Sequence, residues 1–133
     1  MPTKKKAAPK VRRPRIAVNP DPQIIQIEVD GSVPDSIHLS ASGKKLPNKV
    51  YWVPLDDTKT WVITFDASDP FSNGSGSASG PIETTAANGT RTRKLNVDPN
   101  LGGTGPYDYD VSWYIAGRRR GTRVSGGGII IDA

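Results

Sequence analysis

The sequence predicts an all-β fold, a single antiparallel Greek-key β-sandwich that carries a disordered basic N-terminal arm. Three observations predict it. Apolar residues recur in short alternating runs of 4–10 residues, and Pro, Gly, Asp and Asn interrupt them. The 14 glycines and 12 prolines make about a fifth of the 133 residues, which is too turn-rich for a helical bundle. No window of helical period is long enough to be a helix, and there is no internal repeat. Length favours one domain with one core, so residues 16–133 are read as the sandwich and residues 1–15 as the Pro-rich arm.

Each element follows from its local pattern. Asn19-Pro20-Asp21-Pro22 makes a stiff turn. Residues 23–29 then alternate, with Ile25, Ile27 and Val29 on one face, and Asp30-Gly31 stops them. Residues 36–40 form a short strand before the turn Ser42-Gly43-Lys44-Lys45. Residues 50–53 form the next, ended by Pro54, and Asp56 to Lys59 turns the chain. Residues 60–66 point Trp61, Ile63 and Phe65 one way. Residues 68–81, SDPFSNGSGSASGP, are the low-complexity stretch of the body and read as a mobile loop with Phe71 as its pin to the core. Residues 90–97 are expected as a strand with Leu95 and Val97 inward. Residues 107–116 give the clearest alternation: Tyr107, Tyr109, Val111, Trp113 and Ile115 share a face. A Gly/Arg loop follows, and residues 129–131 close the chain as a buried strand.

Composition excludes several chemistries. There is no cysteine, so there is no disulfide, thiolate zinc site, iron–sulfur site or cysteine nucleophile. The single histidine, His38, excludes a multi-histidine metal site. No run approaches the roughly 20 apolar residues of a membrane-spanning helix. The formal charge is +5, and its position matters more than its size. Residues 1–15 hold Lys4, Lys5, Lys6, Lys10, Arg12, Arg13 and Arg15 and no acid, while the rest of the chain holds 11 basic and 13 acidic groups, a net of −2. Seven like charges with Pro2, Pro9 and Pro14 and few apolar groups cannot build a core, so the arm is expected to stay extended. If all seven met phosphates, log K would fall with log salt by a slope of roughly six. No apolar stretch follows these charges as in a secretory signal, so the expected location is cytoplasmic, or nuclear in a eukaryote, where KKK and RRPR resemble a bipartite nuclear address.

Two segments carry a family resemblance. Val50-Tyr-Trp52-Val-Pro-Leu-Asp56, followed by Trp61-Val-Ile63-Thr-Phe65, resembles the cupredoxin segment V-x-W-x-x-x-D before H-x-V-x-F. Gly105-Pro-Tyr107-Asp-Tyr109-Asp-Val111, with the closing Gly126-Gly-Gly-Ile129-Ile-Ile131, resembles the cupredoxin G-x-Y-x-Y-x-C strand, its ligand loop and the final G-x-I-x-V strand. The resemblance spans about residues 23–133 and implies a cupredoxin-like sandwich, similar to small copper-less bacterial domains of unknown function. The departures fall on the ligands. Trp61 stands for the first histidine and Val111 for the cysteine, and residues 117–128 hold no His or Met. Blue copper needs imidazoles and a thiolate, so the resemblance implies the frame without copper, without electron transfer and without a cofactor.

Candidate sites are few. His38 has no nucleophile signature beside it and reads as a surface histidine. Asp108 and Asp110 stand about 7 Å apart on one strand face; a hard cation could use them, but a solvated face explains them as well. Asn73-Gly-Ser and Asn88-Gly-Thr match glycosylation sequons and read as turns. The strongest candidate is Gly117-Arg118-Arg119-Arg120-Gly121-Thr122-Arg123, whose guanidinium forks suit phosphate or carboxylate, with Arg91 and Arg93 extending it. The expectation is a non-enzymatic binding module. Its anion-binding residues are Lys4, Lys5, Lys6, Lys10, Arg12, Arg13, Arg15, Arg118, Arg119, Arg120 and Arg123, and its partner is nucleic acid, met without sequence specificity, or an acidic protein. The alternative is a structural subunit, a homo-oligomer assembled through sheet edges and the arm.

Overall fold

A computed structural model of the chain describes residues 20–75, 79–101, 103–115, 118–119 and 124–132. Among these, nine strands form two facing sheets, and the one helical element is a single 3₁₀ turn at Ala86–Asn88. In chain order the strands are β1 Gln23–Ile27, β2 Ile37–Ser40, β3 Lys49–Pro54, β4 Thr60–Phe65, β5 Ile82–Glu83, β6 Leu95–Asn96, β7 Tyr107–Ile115, β8 Arg118–Arg119 and β9 Ser125–Asp132. The larger sheet runs β2-β9-β7-β4-β5, with β8 also paired to β7; the smaller runs β1-β3-β6.

The sheets are mixed, which corrects the purely antiparallel expectation. β1 lies parallel to β3, with Gln23 opposite Val50 and Ile27 opposite Pro54. β2 lies parallel to β9, with Ile37 opposite Ile129 and Ser40 opposite Asp132. The reason is topological: after β1 the chain places β2 in the other sheet and returns to form β3 in the same sense. A parallel pair needs such a crossover, and side-chain alternation along one strand carries no information about its neighbour's direction.

The core is the inner faces of both sheets. Trp52, Trp61, Leu39, Ile25, Ile27, Ile82, Leu95, Val50, Val111 and Ile129 have no accessible surface. At the centre Trp52 meets Tyr109 edge-on at 5.4 Å between ring centroids, and Phe65 meets Phe71 at 5.7 Å. Such pairs add about 0.5–1.5 kcal/mol each beyond the area they bury. Phe71 is 7% exposed, so it does fasten the Gly/Ser segment to the core.

Three expected elements change. The first strand ends at Ile27, because Glu28 N–H bonds Ser32 O and Gly31 N–H bonds Glu28 O; this turn leaves Val29 63% exposed. Residues 90–97 keep only the two-residue β6. Thr90 sits at φ 60°, and the Thr92 hydroxyl, not a ladder carbonyl, accepts the Trp52 N–H at 2.9 Å. Leu95 and Val97 still point inward. The last strand starts at Ser125, four residues early, so the Gly126–Gly128 run is strand. A Cβ on Gly127 would stand 2.6 Å from the Tyr109 hydroxyl, so bare backbone is what lets β9 pass that ring.

Candidate anion-binding surface

The fold sets where the predicted basic groups attach. Lys4, Lys5, Lys6, Lys10, Arg12, Arg13 and Arg15 lie outside the described residues, as do Arg120 and Arg123. The described chain begins at Pro20 and enters β1 where Gln23 pairs with Val50, next to Lys49. Arg118 and Arg119, expected in a loop, form β8: their backbones pair with Ile115 and Tyr114 and extend the large sheet.

Arg93 does a different job from the expected one. Its guanidinium donates to the carbonyls of Pro81 (2.8 Å), Gly80 (2.8 Å), Asn73 (3.0 Å) and Gly74 (3.3 Å). It ties both ends of the Gly/Ser segment to one point and is spent there. Asn73 completes the tie, donating to Lys94 O at 2.9 Å and accepting from Asn96 N–H at 2.8 Å. Asp69 holds the same segment by accepting from the N–H groups of Phe71 and Ser75, both at 3.1 Å. Composition alone reads this stretch as mobile; the ties that hold it join its own Asp69 and Asn73 to Arg93 and to the backbone of residues 94 and 96, which lie far along the chain.

Arg91 precedes β6 and bridges to Thr85, and its side chain reaches the small sheet. Its guanidinium lies 4.8 Å from the centroid of the Tyr51 ring, a cation–π contact. Its Nε donates to Asn88 O at 3.1 Å. The 3₁₀ turn behind it is capped by Thr85, whose hydroxyl accepts the Asn88 N–H, and by Gly89 at φ 72°. Tyr51 and Lys49 share the outer face of β3, with Ile24 of β1 opposite Tyr51 and Asn96 of β6 opposite Lys49. Lys49, Arg91 and Lys94 are exposed. A groove of about 450 Å³ runs along the 87–89 turn past Arg91, Arg93 and Lys94, and no carboxylate lines it. The two ion pairs among the described residues use other cations, Lys59 and His38, so these three have no acidic partner there.

Other polar clusters are structural. His38 Nδ1 lies 3.0 Å from Asp132, a partner that the parallel β2–β9 pairing supplies and sequence spacing hides, 94 residues apart. Both are about half exposed. Asp56 accepts from the Thr58 hydroxyl and N–H, and Lys59 stands 3.3 Å away; these hydrogen bonds, Thr58 first, hold its carboxyl below the usual carboxylate range. Lys59 also lies 4.4 Å from the Trp113 ring centroid. Ser32 does for Asp30 what Thr58 does for Asp56. Burial pushes the Tyr109 phenol up to about 12. Among the described residues no three His, Asp or Glu side chains converge as a metal site would require, and no helix is long and apolar enough to cross a membrane. Compared with known proteins, the chain matches no family model, no curated protein and no solved structure.

Proposed function

We propose that this protein is a non-enzymatic binding module that grips a polyanionic partner through its basic arm, with the arginines at 118, 119, 120 and 123 as a second contact. The observation that carries this reading is charge segregation: seven basic groups and no acid in residues 1–15, on a body of net −2. Such an arm supplies on-rate and salt-sensitive affinity, and the rigid two-sheet body supplies geometry. The frame we propose is a cupredoxin-like Greek key without copper. What supports it is that Val50, Trp52, Trp61, Ile63, Tyr109 and Val111, the positions that carry the resemblance, all turn into one core.

Self-assembly through a sheet edge is the second reading, and β1 is its best vehicle. β1 ends the small sheet, and Ile24 beside it is 51% exposed. Ile27 O accepts from Leu55 N–H toward β3, so by alternation Ile24 and Gln26 aim their backbone groups at the open side. Continued outward, the same alternation reaches Pro22 and Pro20, which have no N–H to offer. Prolines there blunt an edge, which ranks assembly second.

The test is a salt titration of binding to DNA, RNA and an acidic polypeptide, with the full chain and with a full-length variant carrying glutamine at all seven basic positions of residues 1–15. The expected result is a log–log salt slope approaching six for the full chain, mostly lost in the variant. Equal binding by both would move the site to residues 118–123. Binding to none of the probes, together with a salt-dependent rise in mass by gel filtration, would replace this reading with self-assembly.

A further inference from the structure

The tract formed by Lys49, Tyr51, Arg91 and Lys94 lies on the outer face of the small sheet, and the described chain enters β1 at the Lys49 end of that face. We infer that this face is a seat for a single strand of nucleic acid, whose phosphates meet the three cations and one of whose bases stacks on the Arg91–Tyr51 pair. The inference rests on the proposed function and names its partner.

Three features carry it. The first is charge: Lys49, Arg91 and Lys94 are exposed, lack an acidic partner among the described residues, and stand with Asn96 and Ile24 around Tyr51, with no carboxylate at any of these positions. The acidic residue of β1's outer side, Glu28, falls beyond the far end of the strand. The second is the planar pair. A guanidinium 4.8 Å from the Tyr51 centroid is tethered by its Nε to Asn88 O, so it is held over the ring before any ligand arrives. Bases stack on aromatic and guanidinium planes whatever their identity. The third is continuity. The described chain enters β1 at the Lys49 end of this face, where Gln23 lies opposite Val50 and Asp21 is an exposed acid, so the chain that carries the basic groups of residues 1–15 leads into the body at the seat. A duplex hides its bases and could use the cations but not the stacking pair, which is why the face selects a single strand. An acidic peptide could use the cations alone.

The test measures anisotropy of a labelled oligo-dT, the matching duplex and a labelled oligo-glutamate with the full chain. Tyr51→Ala is expected to weaken oligo-dT binding about 5- to 150-fold, the range given by losing one stacked base, while duplex binding stays within about twofold. Tyr51→Phe retains the ring and should restore the affinity. Arg91→Ala, Lys49→Ala and Lys94→Ala should each lower the oligo-dT salt slope by about 0.7. If Tyr51→Ala loses thermal stability, Arg91→Ala and the two lysine variants decide the matter, since all three side chains are exposed. Arm-dependent, salt-sensitive binding that none of these variants changes would overturn the seat and leave the arm reading standing. Equal losses for single strand and duplex, or oligo-glutamate bound as tightly as oligo-dT, would also overturn it. No binding of either nucleic acid by the full chain would overturn the seat too, and oligo-glutamate binding would then decide the fate of the arm reading.

Discussion

Tyr109 shows how one hydroxyl couples the core to pH. It is 1% exposed and accepts a hydrogen bond from Trp52 Nε1 at 3.3 Å. Desolvation raises its pKa to about 12 from 10.0. The unfolded chain therefore loses this proton first, and the stability contributed by the protonated phenol is complete below pH 10 and gone above 12. The difference corresponds to about 2–3 kcal/mol. Urea titrations at pH 9, 10 and 11 should show a stability loss that Tyr109→Phe largely abolishes; the same variant should cost about 1–2 kcal/mol at neutral pH, because it leaves Trp52 N–H buried and unpaired. A parallel fall in both proteins would assign the alkaline loss to other groups. Arg93 is the second residue whose role is particular. Four carbonyls share its guanidinium, so Arg93→Ala should destabilise by roughly 1.5–3 kcal/mol and open the Gly/Ser segment to limited proteolysis. Arg93→Lys, with one ammonium for a planar fork, should recover less than half. Unchanged protease sensitivity in Arg93→Ala would deny the clamp.

At the scale of the element, β9 is where backbone shape decides. Gly127→Ala sets a methyl 2.6 Å from the Tyr109 hydroxyl and 3.0 Å from Pro34 O, neither free to withdraw. It should cost about 1–3 kcal/mol. Gly128→Ala, one residue on, meets the Asp108 carboxylate at 3.0 Å, an exposed side chain that can swing away, and Asp35 O at 3.5 Å, an ordinary contact, and should stay within about 0.5 kcal/mol. Equal midpoints for the two variants in a denaturant titration would remove the close-approach account of this strand. The same strand marks the limit of sequence reading. β4 and β7 were legible because Trp61, Ile63 and Phe65, and Tyr109 and Val111, alternate over a buried face. The start of β9 was not, because glycines have no side chain with which to declare a face. β5, two residues long, falls below any periodicity. The basic surface was legible in composition but not in grouping: nothing in the sequence separates Arg91, which lies over Tyr51, from Arg93, two residues on, which is consumed by the carbonyls of residues 73, 74, 80 and 81. Both outcomes depend on Tyr51 and on the 73–81 segment, which only the fold brings near.

At the scale of the molecule, the charge that dominates the sequence and the core that holds the fold occupy different parts of the chain. The buried cluster runs from Ile25 to Ile131 and contains no ionised group. It is built from pairings distant in sequence, β1 with β3 and β2 with β9, so its stability comes from apolar contact, which added salt does not screen. The seven basic groups of residues 1–15 all precede it. Neutralising them should therefore leave the unfolding free energy within about 0.5 kcal/mol of the native chain, and raising salt from 0.05 to 0.3 M should leave both proteins' midpoints close together. Over that interval the native chain's affinity for a polyanion should fall by several orders of magnitude, as a slope near six requires. A thermal melt and a binding isotherm on the same samples separate the two quantities. If neutralising the arm lowers the melting midpoint by more than a few degrees, the arm is held against the body in the free protein, and the steep salt dependence then contains the release of that contact as well as the release of counterions.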